Sequence, residues 1–190
     1  MLARPAASDG CTVTWWGHAT VDVRLDGVRL VTDPLLRSRV GPLHSHGHRP
    51  SGPTSRMQTE PALAGVDAVL LSHLHRDHTD LPSLRRFPRR TRVLAPAGAG
   101  RVVRRSVRGS VEELPSGRTT EVGPVRVTAT PAVHDGRRDR HGPQAEAVGY
   151  LVTGSSSIYF AGDTDLFAGM ADLRGETGID VALLLSLIHI

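Results

Sequence analysis

Cysteine, lysine and long apolar runs are rare or missing in this 190-residue sequence. The single cysteine, Cys11, excludes an intrachain disulfide and every zinc site built from several thiolates. The longest strongly apolar run covers ten residues, 181–190, which is about half of what a membrane-spanning helix needs. Residues 1–10 hold no apolar stretch, so no signal peptide is predicted there. We therefore expect a single cytoplasmic domain over residues 1–190, without a membrane span.

The absence of lysine makes arginine the source of all 23 basic charges. Nine of these arginines lie between Arg85 and Arg108, a stretch without Asp or Glu. The whole chain has a net charge of +4, so the remainder without this stretch carries −5. A basic patch of this kind can attract phosphates or nucleic acid. The simpler interpretation, a solvated helix face beside a basic loop, is favoured.

Apolar alternation predicts much of the chain as short strands. Residues 21–25 and 28–32 are joined by Asp26-Gly27, a strong signal for a two-residue hairpin turn. Trp15 and Trp16 adjoin in the first strand, and both are expected to pack in the core. Many strands with few helices indicate a layered α/β fold. The remaining predictions are strands at 12–16, 66–71, 91–95, 111–114, 119–122, 125–130, 147–153, 156–160 and 179–185, helices at 81–87 and 98–107, and an irregular loop at 35–61. The last of these strands, 179–185, is expected to be buried.

Four potential metal ligands fall within six residues, directly after the predicted buried strand 66–71. His73 and His75 alternate, so in an extended segment both can face one ion. Asp77 and His78 follow a turn and can face a second ion nearby. Imidazole and carboxylate together suit Zn²⁺, Fe²⁺ or Mn²⁺, and the lack of thiols disfavours a closed structural zinc site.

The His-x-His-x-Asp-His pattern after an apolar strand resembles the signature of metallo-β-lactamase-fold hydrolases. Residues 16–20, Trp-Gly-His-Ala-Thr, resemble a subfamily that includes ascorbate-phosphate lactonases and N-acyl phosphatidylethanolamine phospholipase D-like hydrolases. The resemblance covers about residues 12–185 and implies an α/β (α+β) fold, the four-layer αββα sandwich. Further matches occur in the family's order at residues 32–34 (Thr-Asp-Pro), 131–134 (Pro-Ala-Val-His) and 162–164 (Gly-Asp-Thr).

The resemblance implies a ligand set for two divalent metal ions, Zn²⁺ first, with Mn²⁺ or Fe²⁺ as alternatives. Two adjacent cations can bind a shared water, lower its pKa and polarise the scissile group. We choose Asp77 as the catalytic carboxylate that orients this water or passes on a proton. The family places three side chains around the first metal, two around the second and one between them: His73, His75 and His134; Asp77 and His78; and Asp163.

Two further residues are candidates for supporting roles. Asp33 could accept the second ring N–H of a metal-binding histidine, or be only a turn residue before Pro34. His18 could line the site or simply sit in the first turn. Three alternating histidines in the predicted loop could form a weak metal-binding tract, although entrance residues are the favoured interpretation: His44, His46 and His48.

The resemblance fails at the end of the sequence. The family supplies one more histidine to the second metal, well downstream of the strand predicted at 179–185. His189 comes only a few residues later, and residues 185–190 look non-native. We therefore expect a chain that lacks the C-terminal part of the sandwich. Its first metal site would bind tightly and its second weakly, with impaired activity.

The predicted function is metal-dependent hydrolysis of a lactone, phosphodiester or amide-like bond in a small, anionic substrate. One alternative is a nuclease of the same fold that uses the basic stretch between Arg85 and Arg108. Another is a non-catalytic metal-binding module. An oxygen-using iron protein is disfavoured, because such relatives carry an acidic residue where this chain has His75.

Overall fold

The computed structural model describes residues 10–37, 63–175 and 178–185. Most of the predicted loop at 35–61, with His44, His46 and His48, lies outside these ranges, as do residues 186–190 with His189. Two β-sheets organise the described part of the chain. None of its helices is long and apolar enough to span a membrane.

The first sheet has six strands in chain order. Antiparallel pairing joins the first three strands, and parallel pairing joins the third to the sixth. The predicted Asp26-Gly27 turn connects the second and third strands, with both residues at positive φ. The strands are β1 (Thr12–Gly17), β2 (Thr20–Leu25), β3 (Val28–Thr32), β4 (Ala68–Leu70), β5 (Arg92–Ala95) and β6 (Val111–Glu113).

The second sheet has five strands in the order β11-β10-β9-β8-β7. Its first four strands in the chain pair antiparallel, and β11 pairs parallel with β10. The strands are β7 (Thr119–Val122), β8 (Val125–Pro131), β9 (Val148–Thr153), β10 (Ser157–Phe160) and β11 (Val181–Leu183). Strand β11 is only half-buried, so the prediction of a buried final strand is wrong; in the described chain it is an edge strand.

Two hydrophobic clusters lie on opposite faces of the first sheet. Leu30 and Leu70 belong to the cluster between the sheets, together with Tyr150 of β9. Their neighbours in sequence point the other way: Val31 and Val69 pack in the cluster that includes the helices α1 (Leu81–Leu84) and α2 (Gly100–Val103). Strands covered on both faces are continuously apolar, as parallel strands in layered α/β proteins usually are. This layering agrees with the predicted sandwich.

Both helices are shorter than predicted. Asp80 caps α1 by accepting from the Ser83 backbone N–H at 3.1 Å, and Pro88 disfavours continuation of the helix through Phe87. Gly98 adopts φ +86, outside the helical region, so α2 starts only at Gly100. It passes into a 3-10 segment, Arg104–Ser106.

The two adjacent tryptophans have opposite environments. Trp16 is buried with 4% of its surface exposed, whereas Trp15 is 56% exposed. The expectation that both pack in the core is wrong for Trp15. Side chains alternate across a strand, and β1 is an edge strand whose outer position is left open by the described residues.

Candidate metal centre

The histidine-rich segment leaves the end of the central strand β4 as a tightly bonded loop. The backbone N–H of Leu71 donates to Leu94 O at 2.9 Å and so extends the ladder to β5. The loop then turns, with the N–H of Thr79 bonded to His75 O at 2.7 Å and the Thr79 hydroxyl to His73 O at 2.6 Å. These bonds fix the segment that carries His73, His75, Asp77 and His78.

Three imidazoles converge in the first group of ligand candidates. His75 Nδ1 lies 2.9 Å from His73 Nε2 and 3.2 Å from His134 Nε2. Ligands placed about 2.0–2.2 Å from a tetrahedral ion lie roughly 3.3–3.5 Å from one another. The three nitrogens therefore have nearly the spacing that one cation requires. Strand β8 and the short bridge of Val133 to Asp165 bring His134 to this position.

Burial favours the neutral form of two of these imidazoles, His73 and His134. It lowers the pKa of His73 to about 2, with the neighbouring histidines adding to the effect. Burial also lowers the pKa of His134. Neutral imidazole is the form that binds a metal, so no proton has to be removed from these two rings at pH 7.

A second group lies beside the first. His18 Nε2 and His78 Nε2 lie 3.1 and 3.9 Å from Asp77 Oδ2. Asp163 Oδ2 stands between the two groups, 3.3 Å from His78 Nε2 and 3.9 Å from His134 Nε2. Burial tends to raise the pKa of Asp77, but the His18 hydrogen bond and the His78 and His18 charges hold it well below its usual range. Asp77 is therefore ionised at neutral pH.

Asp33 is linked to a histidine of each ligand group, directly to His78 and through Ser72 to His73. Its Oδ2 lies 2.7 Å from His78 Nδ1, and its Oδ1 accepts the Ser72 backbone N–H at 2.7 Å. The Ser72 hydroxyl donates to Asp33 Oδ2 at 2.5 Å and lies 2.9 Å from His73 Nδ1. Ser72 thus connects the carboxylate to a second histidine. Ser72 was not among the residues predicted from the sequence, although its position directly before His73 could have pointed to it.

Two buried polar atoms show that the cluster fits a cation. Within the described ranges neither His78 Nε2 nor Asp163 Oδ1 has a hydrogen bond of good geometry, although His78 Nε2 has an ion-pair contact with Asp163 Oδ2 at 3.3 Å. Buried polar atoms are normally paired, and both atoms belong to types that bind transition metals. Burial lowers the pKa of His78, but contacts with Asp163 and Asp33 raise it to about 10 overall. Without a cation this ring therefore holds a proton, which metal binding at Nε2 would displace.

Arginine side chains also stabilise the histidine-rich loop, and they were not among the residues predicted from the sequence. Arg138 is half-buried and donates to Leu74 O at 3.1 Å and to Thr79 O at 3.0 Å. Arg76 forms a two-bond ion pair with Asp139, at 2.6 and 2.9 Å. The segment after His134 is thereby tied to the histidine-rich loop.

The basic stretch begins at Arg85, the C-cap of α1, and runs through β5, α2 and the 3-10 segment to Arg108. Part of its charge is balanced locally. Arg92 donates to Glu112 at 2.5 Å, and Arg104 lies 3.6 Å from Glu113. These two arginines act within the fold, which supports the interpretation of this stretch as a solvated outer face.

Comparisons with known proteins show what this chain is similar to. A UPF0173 metal-dependent hydrolase of Methanopyrus kandleri is 32% identical over 181 residues, covering 90% of this chain and 70% of that protein. An uncharacterized protein of Mycobacterium tuberculosis is 30% identical over 178 residues, covering 90% of this chain and 47% of that protein. The chain therefore spans about half the length of the mycobacterial relatives that it matches.

A solved structure shares the fold at low sequence identity. CmlA, a diiron beta-hydroxylase from Streptomyces venezuelae, superposes with a TM-score of 0.68 at 24% identity, over 93% of this chain and 34% of that protein. The profile of the Beta-lactamase superfamily domain matches residues 29–187. The predicted resemblance and fold class are thus confirmed: this chain belongs to the beta-lactamase superfamily and has its sandwich of two mixed sheets.

Proposed function

We propose that this chain carries the metal centre of a hydrolase that uses two divalent cations, with Zn²⁺ favoured over Mn²⁺ and Fe²⁺. The observation that carries the proposal is the pair of adjoining ligand groups with Asp163 between them. The proposed ligands are His73, His75 and His134 for one cation, and Asp77 and His78 for the other, with Asp163 shared.

The protein groups have distinct tasks in this proposal. Two cations bound by these residues would lower the pKa of a water and polarise the bond under attack. Asp77, ionised at neutral pH, is the carboxylate positioned to accept a hydrogen bond from that water. Asp33 and Ser72 hold the rings of His78 and His73 by their Nδ1 atoms, so that both Nε2 atoms are directed to the centre.

The proposed substrate is a small, anionic molecule with a lactone, phosphodiester or amide-like bond. The Methanopyrus relative is named a metal-dependent hydrolase, which supports hydrolysis. The shared fold alone does not fix the reaction, and CmlA, named a beta-hydroxylase, illustrates this. The nine arginines between Arg85 and Arg108, a stretch without Asp or Glu, would attract an anionic group of the substrate.

Metal content and hydrolysis, measured on the same preparation, test the proposal. We expect one tightly bound transition-metal ion and a second, more weakly bound one per chain, and hydrolysis of at least one member of a panel of lactones, phosphodiesters and amides. His73→Ala should remove the metal of the first group and the activity, whereas His141→Ala, a change at an exposed loop histidine, should alter neither.

Other outcomes would contradict the proposal in recognisable ways. A folded protein that binds no metal, and is unaffected by His73→Ala, would exclude a metal centre. Bound metal without hydrolysis of any panel member would favour a non-catalytic metal-binding module. Cleavage of DNA or RNA, with binding that weakens steeply as salt is raised, would favour the nuclease alternative.

A further inference from the structure

His18 occupies an unusual turn between β1 and β2. It adopts φ +48, an uncommon region for a residue other than glycine, and follows Gly17 at φ +118. The pairing of β1 with β2 also shifts register between Trp15 and Gly17. Irregular strand ends of this kind often redirect a side chain towards a functional site. Here the turn directs the His18 ring to Asp77.

Three hydrogen bonds fix this turn, one within it and two to the C-terminal end of β3, where Asp33 follows. The Trp15 indole N–H donates to His18 O at 2.8 Å. The Thr32 hydroxyl donates to Ala19 O at 2.7 Å, and the Thr20 hydroxyl donates to Asp33 O at 2.9 Å. His18 and the carboxylate that orients His78 are therefore positioned by the same end of the first sheet.

The His18 ring completes a ligand-like triangle. His18, Asp77 and His78 each offer one ligand atom, and these three atoms lie within 4.8 Å of one another. Asp77 Oδ2 is 3.1 Å from His18 Nε2 and 3.9 Å from His78 Nε2. The distance of 3.1 Å from His18 Nε2 to Asp77 Oδ2 resembles the 2.9 and 3.2 Å within the three-histidine group. The rings of His18 and His78 meet edge to face at 4.9 Å, and His78 Nε2 is one of the two buried polar atoms of the cluster without a hydrogen bond of good geometry in the described chain.

We propose that His18 is a protein ligand of the second cation, bound through Nε2 together with Asp77 and His78. From the sequence, His18 was expected only to line the site or to lie in the first turn. The remaining ligand of the second metal was expected to be a histidine further along the family's sequence. Two imidazoles with a carboxylate form a donor set suited to Zn²⁺, Mn²⁺ or Fe²⁺. This inference rests on the metal binding proposed above but does not depend on hydrolysis.

The competing interpretation is that His18 only donates a hydrogen bond to Asp77. Two substitutions separate these roles. His18→Gln keeps an amide N–H that can reach a carboxylate but removes the imidazole. His18→Asn also removes the imidazole and suits the positive φ of this turn, since asparagine tolerates that region better than most residues. His141→Ala is the matched control, because it removes an exposed histidine outside both ligand groups.

The experiment is a Zn²⁺ titration of the metal-free chain by calorimetry, with metal content measured after dialysis. We expect two Zn²⁺ ions in the parent chain and in His141→Ala. In both His18 variants one ion should bind at least about 10–100-fold more weakly, since even outer partners of metal ligands have effects of that size. X-ray absorption of the two-zinc form should count one imidazole fewer per chain in the variants.

The possible failures are distinguishable. Unchanged affinity for both ions in His18→Gln, with an unchanged imidazole count, would overturn the ligand role and leave His18 as a positioning residue. The parent chain could instead bind a single Zn²⁺ that is lost in His73→Ala and kept in both His18 variants. That result would overturn this inference but retain the first metal group. A parent chain that binds no Zn²⁺ would overturn this inference and the proposed function together.

Discussion

Asp33 and His78 form a buried pair in which the carboxylate Oδ2 lies 2.7 Å from the ring Nδ1. The contact fixes the orientation of the His78 ring, so its Nε2 faces Asp77 and Asp163. We expect Asp33→Asn to weaken metal binding about 10–100-fold, because carboxylates that hold ligating histidines have effects of that size. Competition with a chromogenic zinc chelator would measure the change.

Asp22→Asn is the matched control for this substitution. Asp22 is also a buried carboxylate of the first sheet, but it pairs with Arg29, at 2.8 Å, rather than with a histidine. We expect it to lower the free energy of unfolding without changing zinc affinity. Equal zinc affinity in Asp33→Asn and the parent chain would show that Asp33 does not position His78.

The sequence predicted the strands well where local alternation and tertiary packing agree. The hairpin through Asp26-Gly27 is an example, since its turn chemistry and its apolar pattern indicate the same structure. Helix lengths could not be predicted from the apolar pattern. The start of α2, for example, is set by the non-helical backbone conformation of Gly98, which precedes the helix. The exposure of Trp15 depends on the place of β1 at the sheet edge, which residue pattern does not encode.

The candidate site likewise contains residues that could be predicted from the sequence and residues that could not. The short motif predicted the position of His73 and its neighbours, because close spacing in sequence ensures closeness in space. Ser72 and Arg138 act through contacts that the folded backbone creates, and Arg138 lies 64 residues from Leu74, whose carbonyl it binds. His18 was a candidate by resemblance, but its contact with Asp77 depends on an irregular turn.

Tyr150 links the second sheet to the strand that precedes the metal centre. Its buried hydroxyl donates to Leu71 O at 2.8 Å. Tyr150→Phe leaves this carbonyl without the hydroxyl donor, so we expect a loss of about 1–3 kcal/mol in the free energy of unfolding. Chemical denaturation followed by far-UV circular dichroism would measure it.

Tyr159 provides a comparison within the same sheet. Its buried hydroxyl has no hydrogen-bond partner of good geometry among the residues described. Tyr159→Phe should therefore be nearly neutral, since the contact of this hydroxyl with Thr130 lacks good hydrogen-bond geometry. If both substitutions destabilise the fold equally, the Tyr150 contact has no special role.

Arg138 should stabilise the histidine-rich loop through the two carbonyls that it binds. Arg138→Leu keeps much of the apolar packing but removes the donors to Leu74 O and Thr79 O. We expect about 1–3 kcal/mol less stability and faster amide hydrogen exchange in the loop. Arg137→Leu, at the exposed neighbouring position, should leave the exchange rates unchanged; a similar acceleration there would indicate a general effect of losing charge.

Asp26 should give the chain an acid-sensitive link between the two sheets. Its carboxylate accepts the Ser155 hydroxyl at 2.5 Å and the Ser155 backbone N–H at 2.7 Å, and these bonds lower its pKa below the ordinary 3.8. A lowered folded-state pKa means that the stabilisation is complete above the ordinary value and is lost as pH falls through the folded-state value. We expect Ser155→Ala to be less stable than the parent chain at pH 7, with the difference shrinking below about pH 4. Denaturation at a series of pH values would measure the free energy of unfolding of both proteins. Ser156→Ala, which retains both Asp26 contacts, is the control and should have the same pH dependence as the parent chain. A loss of stability in Ser155→Ala that does not change with pH would contradict the link.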